Sequence, residues 1–466
     1  MKIGNIVISR RVIMTVTIIA LVIFSVVGYS YVNSDLGYSA TISVKGTSKG
    51  KLYDYIASIS VSDSIRSDYV DSDTGINFSL YSSDTNGKGV YLLSSTASDT
   101  YPIYYYRGAV ENNNVKFAGF CWKIVRTTDT GGTKLIYNGV PDAGGYCTNT
   151  TGNATQLQST SAFNEDPFSL AYNGYMYGAV YSFTAKQTTA SYVYGNTFTY
   201  SNGIYTLSNT QTSLDSTHHY TCFSSDTTCA SISYVYYLNG TMVYYLNFED
   251  GKGIEDAMEE MEENQNNSTM KFAIDRWFLY NFKPYFTNNN KDYNDYLEDT
   301  IWCNDRSYSQ TAYSYMNSFQ DSGWYPNGGT LTNELYYSAL VRFKKGEPSL
   351  TCSNKNDSFT VTESATGNGA LIYPVGLLTS DEALLAGAED GRQNHSYYLY
   401  TGNDWWLMST RLHNDTASYH FVMNSNAIPT NSSVGGSFGV RPSISLNNNI
   451  LIKSGSGTST SPYVIE

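Results

Sequence analysis

The run Val115-Lys-Phe-Ala-Gly-Phe-Cys-Trp-Lys-Ile-Val-Arg126, followed by Thr133-Lys-Leu-Ile-Tyr137, constrains the fold more than any other part of the chain. Short stretches of β-branched and aromatic residues cut by turn signals read as strands. The signals are Glu111-Asn-Asn-Asn before the first run and Asp129-Thr-Gly-Gly before the second. Asn and Gly tolerate the backbone angles that a tight reversal needs. With Val90-Tyr-Leu-Leu and Ile103-Tyr-Tyr-Tyr-Arg upstream, the segments predict an antiparallel meander. Further strands are expected at about 396–409, 417–424 and 437–446.

Helices are fewer. Met270-Lys-Phe-Ala-Ile-Asp-Arg-Trp-Phe-Leu-Tyr-Asn-Phe282 carries apolar residues at helical spacing and predicts a helix packed on a sheet. Thr379-Ser-Asp-Glu starts another, reaching about Gly387, with Thr379 or Ser380 as N-cap and acidic residues in its first turn. Gly253–Asn264 reads as a helix with a solvated acidic face, and a short helical segment is expected near Asn294–Asp299. The fold class is therefore α+β, mostly antiparallel.

Lys2, Arg10 and Arg11 precede an apolar run from Val12 to Val27, interrupted only by Thr15, Thr17 and Ser25. Continued through Val32, it approaches the roughly 20 residues that a bilayer core requires. A secretory signal has the same layout, so the run is either a cleaved signal or a single-pass anchor. In both cases the basic end faces the cytoplasm and the rest is expected outside. The roughly 430 residues beyond it exceed one ordinary core and suggest two or three units. The expected divisions are an anchor or signal at 1–35, a stalk or linker at 36–87, a β-rich ectodomain at 88–367 and a C-terminal module at 368–466. Residues 141–240 read as a loop-rich insertion or as irregular strands.

A net charge of −13 argues against nucleic acid as a partner, because phosphate contacts need clustered Lys and Arg. Six cysteines on an exported chain read as three disulfides, most simply Cys121–Cys147, Cys222–Cys229 and Cys303–Cys352. The alternative is zinc at His218-His219-x-x-Cys222-x6-Cys229, although this spacing matches no standard finger.

The pieces Tyr-Arg-Gly (106–108), Val115–Arg126, Trp-Cys-Asn-Asp-Arg-Ser (302–307), Tyr-Pro-Val-Gly-Leu-Leu-Thr-Ser-Asp-Glu (373–382) and Trp-Trp-Leu-Met-Ser with Gly-Val-Arg-Pro (405–409, 439–442) carry a resemblance. They resemble uncharacterised, membrane-anchored surface proteins of Gram-positive gut bacteria, a group with no assigned activity. The stretch 368–466 is also similar to the C-type-lectin-like fold. These resemblances imply a cell-surface binding or adhesion protein that recognises an extracellular glycan or protein, held to the membrane through the N-terminal helix. The alternatives are a structural surface protein without a specific ligand and a secreted carbohydrate-active enzyme.

Catalytic motifs are weak. Gly435-Gly-Ser-Phe-Gly439 fits a hydrolase nucleophile turn, but no His and no Asp follows it. Formylglycine-generating enzymes share the lectin-like fold, yet their reactive cysteine pair has no counterpart after Cys352. No enzyme activity and no cofactor is expected. Asn403-Asp404 resembles calcium ligands of C-type lectins, and Asn and Asp oxygens suit calcium; a turn explains the same pair. Asp275, Arg276, Asp305 and Arg306 read as internal ion pairs, and Arg441 as a bridge between loop carbonyls. The five histidines are expected in exposed loops. In lectin-like folds the loops before the final strands bind, so the expected face lies between Asn403 and Gly436. It comprises Asn403, Asp404, Trp405, Arg411, His413, Asn414, His420, Asn424, Asn426 and Asn431, with one of Trp405 and Trp406 turned outward. Abundant Tyr beside Ser, Gly and Asn suits recognition surfaces in general, and the Tyr-rich 170–245 stretch is the second choice.

Overall fold

A computed structural model describes residues 50–59, 76–93, 100–149, 151–165, 171–179, 259–307, 337–413 and 417–465 in detail. Elsewhere it gives the backbone of short strands, including Lys2–Ile3, Ile6–Val7 and seven strands between residues 193 and 248. The apolar run 12–27 lies outside the described residues. Among the described residues, no helix is long and apolar enough to cross a membrane. Residues Thr47–Glu466 form one compact unit.

The unit is built on an eight-stranded sheet. Its strands are β1 (Gly89–Leu92), β2 (Tyr104–Arg107), β3 (Asn114–Phe117), β4 (Phe120–Thr127) and β5 (Thr133–Tyr137). Far along the chain it adds β10 (Ser443–Leu446), β11 (Ile452–Ser454) and β12 (Tyr463–Ile465). The order is β10-β5-β4-β3-β12-β11, with the β1–β2 hairpin attached where Tyr105 faces Arg126. Pairing is antiparallel except where Tyr463 and Val464 lie parallel to Val115 and Lys116. The boundary expected at residue 367 is thus crossed by backbone pairing, and strands from both sides of it share one core.

The predicted meander is present, but 115–126 is not one strand. Ala118 and Gly119 both take positive φ, 52° and 83°, and pair Phe117 with Phe120 in a two-residue hairpin. Such loops prefer Asn-Gly because both residues sit in the left-handed region, so Ala118 gave no signal. A second sheet runs β6 (Leu335–Tyr336), β7 (Trp405–His413), β8 (Ser418–Met423) and β9 (Pro429–Ser433). The strand expected from residue 396 begins only at 405. The preceding Tyr-Thr-Gly-Asn turns instead, with Gly402 at φ 74°. Strands between Val193 and Phe248 group in a four-stranded and a three-stranded antiparallel sheet, whereas the described residues of 141–179 are mainly turns with two short 3-10 segments.

Helix α1 (Leu52–Ile59) occupies part of the stretch read as a stalk. Leu52 and Ile56 are buried, and the Leu52 amide donates to the Ile450 carbonyl at 2.9 Å. Helix α2 (Thr269–Trp277) is capped by Ser268, whose hydroxyl accepts from the Lys271 amide. It continues through a π-helical turn (Phe278–Phe282), where Lys283 N bonds back to Phe278 O, into α3 (Lys283–Asn288). Phe278, Phe282 and Phe286 are buried; Phe282 meets Phe117, Phe120 and Trp122 of the sheet, Phe286 meets Phe117, and Phe278 stacks on Tyr373. Helix α4 (Ser338–Lys345) ends at Gly346 in the left-handed conformation. Helix α5 (Ser380–Ala386) begins with the predicted Thr379 cap, and Glu382 completes a capping box.

Beneath α5 lies a buried ionic cluster. Arg126 and Lys134 are directly opposed across β4 and β5, an arrangement that repels unless a counter-charge intervenes. Glu382 supplies it, 2.8 Å from Arg126 and 2.7 Å from Lys134. Burial alone would raise this carboxyl, but attraction to the two cations holds it at about 2. Lys134 moves in the other sense: burial lowers it to about 8 although Glu382 pulls it up. The lysine has exchanged its hydration for half of a shared carboxylate and the face of Trp302, 4.2 Å away.

Candidate functional site

The face expected between Asn403 and Gly436 is largely interior. Trp405, Arg411, His413 and His420 are all buried, as is Trp406. The ring of Trp405 lies 4.8 Å beneath the Arg441 guanidinium, and Trp406 Nε1 donates to the Ser161 carbonyl. His420 stacks on Phe163 at 3.7 Å and bonds through Nε2 to the Asn173 carbonyl at 2.8 Å. His413 Nδ1 meets the Ser418 hydroxyl at 2.8 Å, and Arg411 sits over Phe421. Burial pushes both imidazoles down to about 3, so they are neutral. These four residues are therefore core packing rather than a ligand face, and His413 and His420 are not exposed loop histidines. For Trp406 and His420 the reason is that Ser161, Phe163 and Asn173 cover strands that, read alone, present one face to solvent.

The half-buried remainder serves turns. Asp404 Oδ1 accepts from the Ser425 amide at 2.5 Å, and the Asn403 and Asn153 side chains pair at 2.8 Å. Asn424 Oδ1 accepts from the amides of Asn426 and Ile428. Asn431 lies on β9 opposite Phe421, and Asn426 is exposed. Asn414 lies outside the described residues. Among the described residues, no group of three or more His, Cys, Asp or Glu is placed to hold a metal ion.

The expected bridging by Arg441 is present: it donates to the carbonyls of Tyr137 and Leu399 and to Asn138 Oδ1. Three of the four expected internal charges are paired, Asp275 with Lys271, Arg306 with Asp357 and Asp305 with Arg342. Arg276 is not. Two disulfides, Cys121–Cys147 and Cys303–Cys352, join the expected partners. The side chains of Cys222, Cys229, His218 and His219 lie outside the described residues.

Arg276 lines a groove on the surface. A cleft of about 680 Å³ runs between α2 with its π-helical turn and the segment 157–159, within the size range of ligand sites. Its floor is Phe120, Tyr137, Trp277 and Val440, with Tyr137 and Trp277 edge to face at 5.8 Å. Phe272, Arg276 and Tyr280 follow one another at four-residue intervals along its rim, a spacing that puts them on one helix face. Phe272 is 60% and Tyr280 67% exposed, and Val140 across the groove 51%. Large exposed rings grouped at a cleft are unusual on a surface that serves only solvation. The π-helical turn widens the helix here, as at many functional sites. Asn281 uses its side-chain amide to satisfy the Trp277 carbonyl at 3.3 Å.

A second, polar cleft of about 400 Å³ contains Thr128, Glu298, Asp299 and Thr300. Burial raises Glu298 to about 7, while the Thr128 hydroxyl donates to it at 3.0 Å. Asp299 accepts from the amides of Val361 and Thr362, at 2.7 and 2.8 Å. That commits Asp299 to holding the 361–362 loop. The pair of free carboxylates that a glycosidase needs is not assembled from these two residues.

The groove escaped sequence reasoning because its walls come from residues 137–140, 157–159, 269–281 and 440. The available signal was the solvent side of the predicted helix, where Phe272, Leu279 and Tyr280 are exposed beside Arg276. No family model, curated protein or solved structure matches the chain.

Proposed function

We propose that this chain is a cell-surface binding protein, held by its N-terminal apolar run and capturing an extracellular ligand in the groove beside α2. The observation that carries this reading is the pair of exposed rings, Phe272 and Tyr280, flanking Arg276 over an aromatic floor. Solvated aromatic rings above a preformed cleft gain more from covering a ligand than from remaining in water. Neutral polar side chains at its edge, Gln158, Ser159 and Asn281, supply orientation without a large desolvation cost. The lectin-like resemblance of 368–466 adds an expectation of recognition but not of this location.

The test is a glycan and protein array probed with the intact chain and with Phe272→Ala/Tyr280→Ala. Both side chains are exposed, so the double variant keeps the core and unfolds with the wild type. Loss of captured ligands in the variant supports the reading. Capture that is unchanged, or self-association of the wild type without any ligand, overturns it in favour of another face or a structural role.

A further inference from the structure

Resting on that groove, we infer that its ligand is a carboxylate-bearing sugar, the acid paired with Arg276 and the ring stacked on Tyr280 or Phe272. Charge is the first argument. The groove lining includes one cation and no carboxylate, on a chain whose net charge is −13. Arg276 is exposed and makes no ion pair among the described residues. Its neighbour Asp275 does not neutralise it, because one helical step turns Asp275 inward, where Lys271 holds it at 2.6 Å. A planar guanidinium left open in this way matches a carboxylate through two parallel hydrogen bonds.

The surroundings decide between acids. Phe272 and Tyr280 sit one turn to either side of Arg276 and offer flat faces, which suit the C–H face of a pyranose. Gln158, Ser159 and Asn281 offer neutral donors and acceptors of the kind that ring hydroxyls need. An acidic peptide strand would instead draw on a free sheet edge or a row of aliphatic pockets, and this groove is walled by a helix and a short irregular segment.

The experiment compares the intact chain binding a galacturonic acid hexamer and its fully methyl-esterified form, which keeps the rings and removes the charge. The acid is expected to bind at least about tenfold more tightly than the ester, as one charge-assisted pair implies. Arg276→Gln removes that preference, Arg276→Lys keeps part of it, and Tyr280→Ala weakens both sugars. Equal binding of acid and ester, or a preference that survives Arg276→Gln, overturns the acidic ligand while leaving the groove in place. Arg276-dependent capture of a poly-glutamate peptide with no sugar bound overturns the choice of sugar. If neither hexamer binds and array capture is indifferent to Phe272→Ala/Tyr280→Ala, the groove itself fails.

Discussion

Replacing Glu382 with Gln isolates one charge in the middle of the fold, because Gln preserves the capping box and the side-chain volume. In the native protein Glu382 sits at about 2 against an ordinary 4.5. That difference is worth on the order of 3 kcal/mol, present above pH 4.5 and lost as pH falls toward 2. Lys134 sits at about 8 against an ordinary 10.5. It therefore costs on the order of 3 kcal/mol below pH 8, a penalty relieved as pH rises toward 10.5. Both figures contain the same Glu382–Lys134 attraction, so they do not add, and a buried ion pair often contributes little net. Removing only the carboxylate leaves Arg126 and Lys134 opposed across β4 and β5, and breaking a buried pair in this way costs about 3–5 kcal/mol. At an unfolding entropy of roughly 2 cal/mol/K per residue, the Thr47–Glu466 unit converts this into a fall in Tm of about 3–6 °C. Differential scanning calorimetry at pH 7 reads it directly. Adding Lys134→Met should recover most of the loss, and raising the pH to 9.5 should shrink the single-variant deficit as Lys134 gives up its proton. A Glu382→Gln protein within 1 °C of wild type, or no rescue by Lys134→Met, would refute the argument.

Three further outcomes are expected. Gly132→Ala places a Cβ in clash with Glu298 Oε2 and the Leu446 carbonyl; backbone cannot yield, so a loss of about 1–3 kcal/mol is expected in urea unfolding. The disulfides Cys121–Cys147 and Cys303–Cys352 close separations of 26 and 49 residues, worth about 3.5 and 4 kcal/mol by loop entropy. Reduction should lower Tm, and non-reducing peptide mapping should recover both bonds and test Cys222–Cys229. His413 and His420 lie at about 3 when folded against 6.5 when unfolded, so each takes up a proton on unfolding. Stability should fall by about 1.4 kcal/mol per pH unit for each histidine between pH 6.5 and 4, and His420→Gln should remove roughly half of that slope.

Local signals gave the elements and missed their partners. The β4–β5 pair, α2 and the Thr379 cap were legible because periodicity and capping depend on neighbours in sequence. His420 and Arg411 misled because a polar residue on a strand reads as exposed unless its cover is known. For His420 the cover is Phe163 and the Asn173 carbonyl, 247 residues away. Asp275 and Arg276 illustrate the same limit within one helix. They are adjacent charges of opposite sign, yet one turns to the core and the other to the groove, since successive helical residues point about 100° apart.

The parallel seating of Tyr463–Ile465 against β3 bears on how the chain reaches its fold. Hairpins within 89–137 can form from local contacts, but the free side of β3 has no partner until residues such as Gly457, 343 positions beyond Asn114, are available. Closure over so long a separation makes folding slow. Until it happens, β3 is an open strand edge able to recruit another copy of the chain. Tyr463–Ile465 thus acts as a clasp, and a chain cut shortly before residue 457 should accumulate as aggregates even though every hairpin upstream is intact.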